Sequence, residues 1–340
     1  MRKIYFFVGG TALIILAASF LWYARLIPGN QPTKEKVYRI GILVRGSGYE
    51  TAVAGYRRKM KELGYEEGRN VSYDVRFVSA KEEVNGAIQD FIAKGVDLIH
   101  TYSTPATQAA YAMTKDMLHP IPVVFGSMGD PLLSGVIKDF GRPGTNVTGV
   151  TSLSTELTAR RVELVREISP LARRIAMPHT AVENGDVAAT RSVTIAQDAA
   201  KKLGMTMVLF PVRVKEDNEA AAKKILRKDV DGIIVGGDSL VWSSIEVYIA
   251  QAIKEKIPFA AFDLSQVKKG ALVGFGPDFA VSGEQAAVLT NQILRGRSPA
   301  YIPIEVPRTL LLAINRKTAT AIGITFSEAF LKKADVIIDE

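Results

Sequence analysis

The sequence predicts an α/β chain of two doubly wound, Rossmann-like parallel-sheet domains with a ligand cleft between them, and three observations carry this reading. The first is Val96-Asp97-Leu98-Ile99, an apolar run between Gly95 and a Ser/Thr cluster, too short for a buried helix and suited to a buried parallel strand. It empties into a polar loop where Thr104 can act as N-cap with Pro105 at the first helical position. The second is a copy of that pattern, in which residues 230–235 (VDGIIV) lead into Gly236-Gly237-Asp238-Ser239-Leu240. The third is that the flanking elements repeat as well, giving each half one βαβαβαβ plan.

In chain order, Met1-Arg2-Lys3 is a short basic flank, and Ile4 to Ala24 carries no charged residue until Arg25. About twenty such residues can cross a bilayer, and the basic flank favours an N-inside orientation. Residues 1–25 are therefore expected to be a membrane-anchor helix or a signal peptide. Ala17 and Ser19 mark a possible cleavage site, but the apolar run continues through Tyr23, which favours the anchor. Residues 26–36, with Pro28, Gly29, Asn30 and Pro32, read as a linker.

The first half then offers a strand at Arg39 to Leu43, a helix from Thr51 to Leu63, a strand at Val71 to Val75, the organising strand at Val96, and a strand at Ile121 to Phe125. The second half repeats them with strands at Arg174 to Met177, Met205 to Leu209, Val230 to Val235 and Ile257 to Phe262. Residues 142–149 (RPGTNVTG) read as a turn-rich passage between the halves. Ligands of open α/β sheets bind at the carboxyl ends of the strands, so two such domains side by side line a cleft from both walls.

Composition agrees. The chain has 340 residues, 47% hydrophobic and 23% charged, enough for two cores of ordinary size. The absence of cysteine removes disulfides, thiolate metal sites, a cysteine nucleophile and N-terminal cysteine lipidation together. The net charge of +8 is spread among acids without a basic stripe, so nucleic acid is not an expected partner.

Candidate ligand contacts sit in the loops after strands. Arg45 and Tyr49 occupy a glycine-containing loop that is neither a GxxxxGK nor a GxGxxG phosphate loop. Ser103 and Thr104 present hydroxyls and a helix N-terminus. Asp130, before Pro131, reads first as a helix cap. Asp238 and Asp263 end matching strands of the second half, and together would suit an ammonium or hydroxyl-rich ligand. His100, His119 and His179 are isolated, without metal spacing, and no nucleophile elbow is present. No enzyme, metal or cofactor is expected.

Several segments then carry a resemblance: residues 39–43 (RIGIL), 62–71 (ELGYEEGRNV), 96–99 (VDLI), 104–107 (TPAT), 129–131 (GDP) and 142–149, followed by 199–204 (AAKKLG), 267–272 (VKKGAL) and 314–319 (INRKTA). In order and spacing the chain resembles the solute-binding proteins of ABC transporters, specifically the tryptophan/tyrosine-type family. The resemblance implies a type I periplasmic-binding fold, with a first domain of residues 37–150 plus 277–304 and a second of 151–276 plus 305–340. It implies an extracytoplasmic protein, in the periplasm or at the cell surface, that closes on a small solute and delivers it to a permease with its ATPase. The alternative use of the same module is a sensor signalling to a membrane kinase or receptor. Family ligands imply amino-acid recognition, and the resemblance carries that role onto Thr104, Thr107, Asp238, Asp263 and Asp130. Met177-Pro178-His179 and Arg45 depart from the family pattern in ligand-facing loops, which brings His179 into the candidate set.

Overall fold

The computed structural model describes residues 36–46, 48–78 and 80–339. The anchor or signal reading of residues 1–25 lies outside them, as does most of the linker. Among the described residues no helix is long and apolar enough to cross a membrane.

The first half folds as β1 (Tyr38–Arg45), α1 (Glu50–Glu62), β2 (Val71–Val78), α2 (Lys81–Ala93), β3 (Leu98–Tyr102), α3 (Thr104–Thr114), β4 (Val123–Ser127) and β5 (Val147–Gly149). The second begins with α4 (Thr158–Ile168), β6 (Arg174–Thr180), α5 (Val187–Lys202), β7 (Thr206–Val212), α6 (Asp217–Lys223) and β8 (Gly232–Ile234). It continues through α7 (Ser239–Trp242), α8 (Ile245–Lys254), β9 (Phe259–Ala261), α9 (Leu264–Lys268) and β10 (Val273–Pro277). The chain ends with α10 (Phe279–Leu294), β11 (Leu310–Asn315), α11 (Arg316–Ile322), α12 (Glu328–Leu331) and β12 (Val336–Ile338).

One sheet is wholly parallel in the order β2-β1-β3-β4-β5. The other runs β12-β11-β10-β9-β8-β6-β7, parallel except where β11 lies antiparallel on β10. Each sheet defines a lobe. Strands buried on both faces lose alternation, as the fully buried β3 (LIHTY) and β4 (VVFGS) show. The chain passes between lobes three times: after β5, between β10 and α10, and before β11, where Val150 and Glu305 form a parallel bridge.

Three expectations shift. The organising strand extends to Tyr102, so Ser103 rather than Thr104 caps α3, its Oγ accepting from Ala106 N at 3.5 Å, and Pro105 falls one position later. The passage at 142–149 contains β5, because Val147, Thr148 and Gly149 find β4 as a partner that local turn chemistry does not reveal. No helix follows Asp130; Leu133 N donates to its Oδ1 at 2.9 Å and closes a turn instead.

Helix α10 belongs by packing to the first lobe, although it follows a strand of the second. Asp278 caps it through Ala280 N at 2.9 Å and Val281 N at 3.3 Å. It lies against α1 at glycine contacts: a Cβ on Gly283 would stand 2.0 Å from Ala52 O, and one on Gly55 would stand 2.2 Å from Ala280 O. Tyr56 Oη reaches Thr290 Oγ1 at 3.1 Å across the same pair. Gly283→Ala should therefore force the helices apart at a cost of about 1–3 kcal/mol, read as a lower urea midpoint; an unchanged midpoint would refute this close approach.

Candidate functional site

The carboxyl ends of both sheets converge on a seam of small hydroxylated side chains. Ser103 follows β3 with φ 93°, a region that strains a non-glycine residue. Its N–H donates to Ser127 O at 3.0 Å. Gly129 N donates to Thr104 Oγ1 at 3.3 Å, which fixes the α3 start beside the loop after β4. The first crossing segment adds Ser152 and Ser154, whose hydroxyls lie 2.9 Å apart. Facing them are Gly236 and Gly237 after β8. A Cβ on Gly237 would stand 2.6 Å from Ser154 Oγ, so only glycine lets the second wall approach this closely.

Between these parts lies a small cavity of about 10 Å³, lined in part by Tyr49, Ser103, Ser127, Ser154 and Trp242. That is roughly the room for a single water. Thr104 also borders a second cavity of about 770 Å³, a volume typical of small-molecule sites. Its walls come from both lobes: Arg45, Val84 and Met113 on one side, Thr180, Asp186 and Leu240 on the other.

The aromatic groups near the seam form a continuous chain. Tyr102 stacks on Tyr49 at 5.3 Å, Tyr49 meets Phe279 edge-on at 5.0 Å, and Phe279 meets Phe262 at 5.8 Å. Phe262 stacks on Trp242 at 4.4 Å. Burial pushes the Tyr49 hydroxyl pKa up, so it stays protonated beside Ser127 Oγ at 3.5 Å.

The charged groups divide by lobe. Burial lowers the pKa of Arg45, against the opposing pull of Asp186 and then Asp238. Burial and the charge of Asp238 raise Asp186 to about 6, against the N–H groups of Ala189 and Ala188 and the charge of Arg45. Behind the seam, Arg161 is fully buried. Its Nη1 donates to Ser154 O at 3.1 Å and Val235 O at 2.9 Å, and its guanidinium lies 4.8 Å from the Phe262 ring centre. Burial lowers Arg161 to about 9, opposed by Asp263 and Glu156.

Of the residues singled out from sequence, Arg45, Tyr49, Ser103 and Thr104 line one or both cavities. Thr107 does not; its hydroxyl sits between Thr101 Oγ1 and Ser103 O, both at 2.9 Å. His179 Nδ1 donates to Thr180 O at 2.8 Å, and the neighbouring Thr180 is the residue on the cavity wall. Asp130 pairs across the lobes with Arg191 at 3.6 Å. Asp238 and Asp263 lie outside both cavity walls and serve as helix caps. Asp238 accepts from Thr180 N, from Thr180 Oγ1 at 2.7 Å, and from Leu240 N and Val241 N at 3.1 Å. Asp263 Oδ1 accepts from Ser265 Oγ at 2.7 Å and Gln266 N at 3.0 Å. The helix starts immediately after β8 and β9 claim these oxygens.

Sequence reasoning missed Ser127, Ser152, Ser154 and Trp242 as wall residues, and placed Thr180 and Asp186 in the ligand-facing loop that opens at Met177 without singling them out. Ser152 and Ser154 were hidden because β5 went unrecognised. Asp186 carried the signal of an N-cap before the helix at Val187, but nothing local says which cavity it borders.

Residues 39–338 match the family described as ABC transporter substrate binding protein. A protein of Clostridioides difficile named tyrosine-binding protein is 30% identical over 293 residues, covering 85% of this chain and 81% of that relative. Among solved structures, a conserved domain protein from Vibrio cholerae is 28% identical with a TM-score of 0.82, covering 89% of this chain and 100% of its own. An ABC domain from Streptococcus pneumonia in complex with L-Trp is 26% identical with a TM-score of 0.81 and the same coverage.

The Asp238 contacts generate a test of its cross-linking role. Asp238→Asn keeps a cap, because Asn caps about as well as Asp, but turns an amide N–H₂ towards donors of Thr180. Losing hydrogen bonds to a buried charged group costs about 1.5–3 kcal/mol, so urea unfolding should show destabilisation despite the retained cap. A variant as stable as the parent would show that the Thr180 contacts carry no weight.

Proposed function

We propose that this chain, which belongs to the ABC transporter substrate binding protein family, captures an amino acid between its two lobes outside the cytoplasmic membrane and delivers it to a permease with its ATPase. The lobes on this reading are residues 37–150 plus 277–304 and 151–276 plus 305–340, with Ile4 to Ala24 holding the protein at the membrane. The observation that carries the reading is the cleft itself: hydroxyls from both strand ends and a crossing segment meet in one seam, beside a cavity of about 770 Å³ walled by both lobes. Only closure brings both walls onto one solute. The names of the Clostridioides difficile relative and the Streptococcus complex support an amino acid with an aromatic side chain. The proposed ligand-facing residues from the first lobe are Arg45, Tyr49, Ser103 and Thr104.

Melting of the full chain with L-tyrosine, L-tryptophan and D-ribose tests the ligand class. A ligand at one hundred times its Kd stabilises by about 2.7 kcal/mol, so an amino acid should raise the Tm while ribose leaves it unchanged. A response to ribose alone would overturn the amino-acid reading. Closure is tested separately, because the cysteine-free chain accepts two spin labels without background. Glu82→Cys and Val214→Cys place labels on exposed residues near opposite walls of the larger cavity, next to Lys81 and Arg213. Their separation should shorten with ligand; an unchanged distance alongside a confirmed melting shift would refute closure.

A further inference from the structure

Resting on the amino-acid reading above, we propose that Arg45 and Asp186 form a zwitterion clamp, in which the Arg45 guanidinium takes the solute's α-carboxylate and the Asp186 carboxylate its α-ammonium. The two residues come from opposite lobes, Arg45 at the end of β1 and Asp186 at the start of α5, and both line the cavity of about 770 Å³. Both residues are half-buried, and they bring opposite charges to the walls of one cavity.

The other acid nearby, Asp238, is committed to Thr180, Leu240 and Val241. Asp186 caps α5 through Ala189 N at 2.9 Å and still borders the cavity. Two further cations line the space: Lys81 at the start of α2, and Arg213, which is paired with Glu183 at 2.8 Å. Val84, Ala109 and Met113 on the first-lobe wall give an apolar side chain its contact surface.

Charge balance sets the selectivity. A zwitterion entering between Arg45 and Asp186 exchanges their mutual attraction for two pairings and adds no net charge to the cleft. A solute with only the carboxylate satisfies Arg45 and draws it away from Asp186, leaving that acid uncompensated. A solute with only the ammonium draws Asp186 away and offers the Arg45 guanidinium no carboxylate in exchange. An uncompensated charge in a partly buried site is costly, so both half-charged analogues are rejected by what they leave behind as much as by what they lack.

Calorimetric titration of the full chain tests this with L-tyrosine and L-tryptophan, the amines tyramine and tryptamine, and the corresponding arylpropionates. The parent protein should bind at least one amino acid about tenfold or more tighter than its amine or acid. Arg45→Gln should weaken the amino acid by about tenfold or more while erasing the preference over the amine. Asp186→Asn, which preserves the α5 cap, should erase the preference over the arylpropionate. Unchanged affinity and preference in both variants would overturn the clamp while leaving the amino-acid reading intact. An equal loss for all three kinds of probe would also overturn it, as a general distortion of the cleft. A parent protein that binds none of the amino acids would instead overturn the reading on which the clamp rests.

Discussion

The contact on which the cleft depends is the aromatic chain from Tyr102 through Tyr49, Phe279 and Phe262 to Trp242. It begins on β3 of one sheet and ends in α7 beside β8 of the other, with Phe279 placed at the point where the chain crosses back to the first lobe. Aromatic pairs of this kind contribute roughly 0.5–1.5 kcal/mol each beyond the area they bury. Two members are tied to the backbone or hydroxyls of the seam: Trp242 Nε1 donates to Gly236 O at 2.9 Å, and Tyr49 Oη lies 3.5 Å from Ser127 Oγ. Arg161 covers the face of Phe262 while holding Ser154 O and Val235 O. Packing of the aromatic side chains and placement of the polar seam are therefore one structural problem.

Several buried polar atoms without a protein partner lie around the same seam. Among the described residues these are Thr151 Oγ1, Thr155 Oγ1, Tyr102 Oη and the Nε and Nη2 of Arg161, while Tyr73 Oη, His100 Nε2 and Asn146 Oδ1 are unpaired elsewhere in the first lobe. Most buried polar groups in a folded protein are paired, so such a concentration is expensive for stability alone. Thr151 and Thr155 lie on the first crossing segment, and Tyr102 ends the strand before Ser103. Much of the cost falls where the lobes meet, and part of it inside the first sheet, where the fully buried His100 of β3 keeps its Nε2 unpaired.

The acids show how one residue type divides between stability and recognition. Asp238 and Asp263 each hold a helix start, and Asp238 also binds β6 through Thr180. Asp186 is likewise a cap, yet it alone of the three lines the larger cavity. Its position opposite Arg45 puts the opposing charges on different lobes, so the separation of the lobes governs their interaction. Arg191 and Asp130 form an ion pair across the same division.

Local sequence determined much of this architecture, because strand and helix signals are short-range. The apolar runs at Val96, Val230 and Ile257, the glycines at 64, 95 and 204 after three of the helices, and the repeated order of elements were sufficient for two parallel sheets with their carboxyl ends towards a common cleft. The strand ends also placed Arg45, Tyr49, Ser103 and Thr104 on its wall. Tertiary structure decided the rest. Strand β5 exists because β4 is there to pair with it, and α10 joins the first lobe because Gly55 and Gly283 admit its backbone. Asp238, Asp263 and Asp186 carry the same local signal of an acid before a helix. Which of them borders the cavity depends on neighbours far apart in the chain, since burial and charge pairing are set by distances through space that residue order does not encode.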